Sequence, residues 1–170
     1  TLVLLFSAAP WRRVQIDDAF ITFAYAHAWI TPGPATWGWP GVEGFSSPLH
    51  LAACAAMAAA DLDLALWAKA LSFACAVATL DVFAWRGERG GLLLLALWTP
   101  FAYWSVQAMD ASLATLVAVV AWPLAVQRRL LGVALLGLFA IARPEGAAWW
   151  VMGALVAGRG RLLALLGLTA

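Results

Sequence analysis

Asp17 and Asp18 are adjacent carboxylates at the head of a run, DDAFITFAYAHAWI, in which apolar residues recur at helical spacing. Ile16, Phe20, Phe23, His27 and Ile30 share one face of such a helix, and Asp18, Thr22, Tyr25 and Trp29 share another. Two roles compete for the acids. A carboxylate at a helix start satisfies orphan N–H groups and meets the positive end of the helix dipole. A carboxylate held at the wet edge of a membrane can instead act as a general base toward a hydroxyl. Further groups able to do chemistry follow: Glu43 in a loop, Asp110 between two apolar runs, and Arg143 and Glu145 in an Arg-Pro-Glu-Gly sequence. His27 and His50 could join the acids around a divalent metal, or be structural residues on apolar faces.

The elements that must position these groups are apolar. The 170 residues are 65% hydrophobic and 11% charged, with a mean hydropathy of +0.88. That composition belongs to an integral membrane protein, all-α and polytopic. A net charge of +1 gives no basic surface for a nucleic-acid partner. Cys54 and Cys75 lack metal or redox spacing and read as small buried hydrophobes.

Residues 1–10 read as the end of a first span, closed by Pro10 and by interfacial Trp11, Arg12 and Arg13. An external loop over 11–61 follows, with interfacial helices and a segment broken by Pro32, Pro34 and Pro40. The apolar run over 49–60 is too short to cross a bilayer, which takes about 20 residues. Further spans occupy 62–170: one over 64–85, one over 92–108 interrupted by Pro100, one over 111–126, and a pair over 130–157 turning at 143–146. The last run begins at Arg161 and is cut off, so the chain is expected to be a fragment of one larger membrane domain. Arg86 with Arg89, Arg128 with Arg129, and Arg159 with Arg161 fall at alternate span ends, which gathers them on the cytoplasmic side. Asp17, Asp18, Glu43, Asp110, Arg143 and Glu145 then face outward. Ionisable residues against lipid are functional candidates by default, and aromatic Trp37, Trp39 and Phe45 in the loop can stack on sugar or anchor at the interface.

DDAFITFAYA at 17–26, GVEGFSSPL at 41–49, QAMDASLATL at 107–116 and ARPEG at 142–146 together resemble bacterial membrane glycosyltransferases of the GT-C class, most closely the arabinofuranosyltransferase-like branch. The resemblance implies a transmembrane helical bundle, a first external loop with interfacial helices, and a catalytic Asp in that loop. It implies a polyprenyl-phosphate-linked sugar donor, a glycan or lipid acceptor, and an active site on the periplasmic side of the cytoplasmic membrane. The chain departs from the family at Ala24, where an Arg is usual, around Trp39-Pro40-Gly41, at His50 in place of Trp, and at Asp110 in place of Glu.

The reaction implied is inverting transfer. Asp17 is expected to deprotonate the acceptor hydroxyl, with Asp18 orienting it, and Arg143 to hold the leaving phosphate, with Arg12 or Arg13 second. Guanidinium matches phosphate oxygens bidentately. Glu43, Asp110, Glu145 and Tyr25 complete the expected substrate-binding set, Asp110 either holding the acceptor or capping the following span. No cofactor beyond the lipid-linked donor is expected. Two other classes remain: a transporter with a broken helix at 143–146, and a noncatalytic protein of envelope assembly.

Overall fold

A computed structural model describes residues 2–14, 16–31, 46–127 and 129–158, and these are entirely helical with connecting turns. Glu43, Trp37, Trp39, Phe45, Arg128, Arg159 and Arg161 lie outside the described residues. Helix α1, Leu2–Ala8, runs into a 3-10 turn at Ala9–Trp11. Then come α2, Asp17–Ile30; α3, Pro48–Ala59; α4, Leu64–Trp85; α5, Arg89–Leu97; α6, Thr99–Trp104; α7, Ala111–Val126; α8, Leu130–Ala142; and α9, Gly146–Ala157.

Local chemistry explains most boundaries. Ser47 caps α3 by accepting from the His50 backbone N–H at 3.4 Å, with Pro48 in the first turn, where no N–H is required of it. Asp63 caps α4 through Oδ1, which accepts from Leu66 N at 3.1 Å. Gly87 ends α4 in the left-handed region at φ +73°. Glu88 N bonds Phe83 O there, and Gly87 N bonds Ala84 O, both at 3.0 Å, a Schellman closure. The run expected as one span over 92–108 is two short helices, because the chain is extended at Trp98 and restarts with Pro100 in the first turn of α6.

Three cores hold these elements together. The first joins Ala19, Phe23, Tyr25 and Ala26 of α2 to Leu51, Cys54 and Ala55 of α3, the start of α4, and Ala108. The second packs α1 against the middle of α4, α5 and α6. The third joins α7, α8 and α9. The face buried by α2 differs from the one expected: Phe20 and Ile30 are 50% and 44% exposed and His27 is exposed, whereas Ala19, Phe23 and Ala26 are buried. Alanine spaced at i and i+7 lets α2 approach α3 closely, and backbone proximity outweighs the larger side chains.

Helices α4 and α7 run in the same direction. Ser72 Oγ donates to Met109 O at 3.0 Å near one end, and Arg86 Nη1 donates to Val119 O at 3.0 Å toward the other. Among the described residues one helix, α4, is long and apolar enough to cross a membrane, while α3, α7, α8 and α9 are apolar but shorter. At 1.5 Å per residue α4 is about 33 Å long, against about 24 Å for α7 and about 20 Å for α8.

Candidate functional site

The site grows from the irregular connection between α6 and α7, residues 105–110. Its backbone makes few helical bonds, so its carbonyls need other partners. Ala108 takes a left-handed conformation at φ +57°, which costs a residue with a Cβ about 1–2 kcal/mol. Side chains from two helices hold it there. The His50 Nε2–H donates to Ala108 O at 3.1 Å, from α3. Ser72 Oγ donates to Met109 O, from α4. Ser105, Gln107 and Asp110 are buried in this connection and Ser112 in the first turn of α7, an uncommon density of polar side chains inside an alanine-rich core.

Asp110 occupies the N-cap position of α7 without making a side-chain cap bond. Its carboxylate, nearly buried, lies instead 3.8 Å (Oδ2) from Arg143 Nε. Arg143 Nε is also 3.5 Å from Glu145 Oε2. The ARPEG sequence produces this placement locally. Pro144 forces the residue before it out of the helical region, and Arg143 is extended at φ −153°, ψ 140°, ending α8. Gly146 N then closes the turn on Arg143 O at 2.9 Å. A Cβ on Gly146 would collide with Phe139 O, so glycine is required for the return. Both carboxylates address Nε, and among the described residues no hydrogen bond reaches the two Nη groups. A half-exposed guanidinium with its terminal nitrogens free is equipped to bind an oxyanion.

The ring of His50 is buried, and because a carbonyl only accepts, its proton sits on Nε2. Nδ1 is a buried acceptor without a hydrogen-bond partner. Burial pushes the imidazole below its usual pKa, while the charge of Asp110 and the Ala108 carbonyl pull it back up. Cys54 Sγ lies 3.7 Å from Nε2, and burial pushes its thiol up to about 11, which keeps it protonated and unreactive at neutral pH.

Asp17 and Asp18 are exposed in the first turn of α2. The N-cap residue is Ile16, with no side-chain cap bond, so the acids meet the helix dipole without capping a backbone N–H. Lys69 Nζ pins the approach to them by donating to Arg12 O at 3.0 Å and Val14 O at 2.9 Å. Ala19 and Ala108 share a core, which brings the start of α2 toward the Asp110 connection. Among the described residues no ion pair joins Asp17 or Asp18 to Arg143. Tyr25 is buried in the α2–α3 core, and Arg12 and Arg13 are exposed.

The structure thus assembles Asp110, Arg143, Glu145 and His50, and leaves the aspartate pair on a neighbouring surface. His50, Ser72, Lys69 and Gln107 were absent from the expected substrate-binding set. Single polar residues in apolar helices, such as Ser72 and Lys69, were the available signal. Asp81 carries a similar signal, being exposed on the body of α4. No group of three or more His, Cys, Asp and Glu side chains suited to a metal ion occurs among the described residues. Comparison with family models, with characterised proteins and with solved structures finds no match for this chain.

Proposed function

We propose that this chain is part of a polytopic membrane glycosyltransferase that transfers sugar, with inversion, from a polyprenyl-phosphate donor to a hydroxyl of a cell-envelope glycan or lipid. The observation that carries the reading is Arg143. Its guanidinium lies beside Asp110 and Glu145 on the Nε side, and its Nη groups, without a hydrogen bond among the described residues, are available for the phosphate that leaves. The four motifs resembling the GT-C class support the same reading, as does the run of apolar helices beside one membrane-length helix.

In this mechanism Asp17, exposed at the head of α2, takes the proton of the acceptor hydroxyl. The oxygen attacks the anomeric carbon from the face opposite the donor phosphate, the bond to phosphate oxygen breaks, and the polyprenyl phosphate departs as an anion against Arg143. The noncatalytic alternative draws support from the same residue, since two carboxylates already offset its charge.

Transfer of labelled sugar from polyprenyl-phosphate arabinose, in membranes carrying the natural full-length protein, tests the proposal. Asp17→Asn should lower turnover by about two to four orders of magnitude, the usual contribution of a general base. Equal transfer by both proteins would remove Asp17 from the mechanism. No transfer from any lipid-linked sugar would favour the noncatalytic alternative.

A further inference from the structure

An open groove of about 430 Å³ runs from the Arg86 end of α4 along α7, with Phe83 and Arg86 of α4, Val119 and Trp122 of α7, Leu136 in the middle of α8 and Trp149 in the first turn of α9 among its walls. Its size suits one or two hydrocarbon chains rather than bulk solvent. The wall is apolar and aromatic, with Trp122 and Trp149 edge to face at 5.2 Å. Polarity is confined to the Arg86 and Glu88 rim.

Arg86 is held at that rim by a defect in α7. Pro123 has no N–H, so the carbonyl four residues earlier, Val119 O, lacks its helical donor. Arg86 Nη1 supplies it at 3.0 Å. The guanidinium is thereby fixed at the mouth of the groove with its other nitrogens without a hydrogen-bond partner among the described residues. Arg89, at the start of α5, and Arg129, just beyond α7, are exposed at the same end. Arg86 and Glu88 are the charged residues of the rim itself, and Arg89 and Arg129 add positive charge at the adjoining helix ends.

We infer that this groove binds an anionic phospholipid, its headgroup against Arg86, Arg89 and Arg129 and an acyl chain along Trp122, Leu136 and Trp149. Basic pockets between helices on the cytoplasmic side are suited to anionic headgroups. The helix ends put the arginines at headgroup depth and the apolar wall below them. The inference rests on the membrane-embedded reading of the chain given above.

The test uses the full chain in nanodiscs of phosphatidylcholine, with phosphatidylglycerol added and the acyl chains of one lipid brominated. Brominated phosphatidylglycerol should quench the fluorescence of Trp122 and Trp149, assigned by Trp122→Phe and Trp149→Phe, more than brominated phosphatidylcholine does. Arg89→Gln and Arg129→Gln should each lower the apparent phosphatidylglycerol affinity about fivefold. Ala118→Phe, which fills the groove and leaves the charges, should lower quenching by both lipids. Equal quenching by the two lipids, unchanged in every variant, would overturn the inference while leaving the membrane reading intact. Absence of quenching by either lipid at any tryptophan would overturn both.

Discussion

Asp110 and Arg143 are unequal partners. Asp110 is nearly buried and its Oδ2 accepts no hydrogen bond, whereas Arg143 is half-exposed and has Glu145 as a second partner. Removing the arginine leaves a buried carboxylate without a cation, and removing the aspartate leaves a cation that still has a partner and water. Arg143→Ala should therefore cost about 1–3 kcal/mol of stability, while Asp110→Ala should be neutral or stabilising. Denaturant unfolding of both variants in one detergent decides the matter, and a larger loss for Asp110→Ala would refute the account. A stabilising Asp110→Ala would show a buried acid kept at a cost to stability, the pattern expected where a group serves chemistry rather than folding. His50 adds a pH dependence. Its folded pKa lies below the unfolded value of 6.5, so the unfolded chain binds the extra proton. Stability is then complete above pH 6.5 and declines as pH falls below it. His50→Gln, whose amide can still donate to Ala108 O, should flatten melting temperature against pH between 7 and 5. An unchanged slope would assign the acid lability elsewhere.

Helix ends were the most legible feature at the scale of elements, because their causes are local. Pro48 after Ser47, Asp63 before an apolar run, Gly87 after Arg86 and Pro144 after Arg143 each act within a few residues of chain. The buried face of α2 was not legible, since apolar periodicity groups Phe20 and Ile30 with Phe23, whereas the packing of α3 buries Phe23 with Ala19 and Ala26 and leaves Phe20 and Ile30 exposed. Proline in α7 supplies a second case of tertiary repair. Arg86→Gln should destabilise by about 1–3 kcal/mol by orphaning Val119 O. In a Pro123→Ala background, where the helix regains its own N–H donor, the same change should cost about 1 kcal/mol less. A double-mutant cycle with no coupling would show that the arginine contact is incidental.

For the whole molecule, the matching direction of α4 and α7 has a consequence for depth. Met109 is level with Ser72, about 12 Å along α4 from Leu64, so Asp110 and Arg143 sit below the start of the longest helix rather than beside it. In the membrane reading, this sets the charged cluster deeper than the external end of α4, while Arg86, Arg89 and Arg129 face the cytoplasm. Ala147→Cys, beside the Arg143 turn, and Glu88→Cys test it with a membrane-impermeant maleimide on intact cells. Label should reach position 147 and reach 88 only after permeabilisation, and the native background should be silent because Cys54 and Cys75 are buried. Labelling of both positions in intact cells would abolish the assigned topology.

Apolar composition and local stop signals were enough to determine that the described residues are all-helical, several of the helix ends, and the residue types available for chemistry, but not the break at Trp98 that divides 92–108 into two helices. Tertiary structure alone decided which of them meet. Arg143 pairs with Asp110 as well as with its neighbour Glu145 because α7, α8 and α9 approach at small residues: a Cβ on Gly132 would strike the Ala125 and Leu124 backbone, and one on Gly153 would strike Leu136. It likewise decided that His50 holds the Asp110 connection while Asp17 and Asp18 remain on the surface. Caps and proline stops act over a few residues and can be read in order along a chain. The register between helices is set by close packing between segments far apart in sequence, which no local pattern encodes.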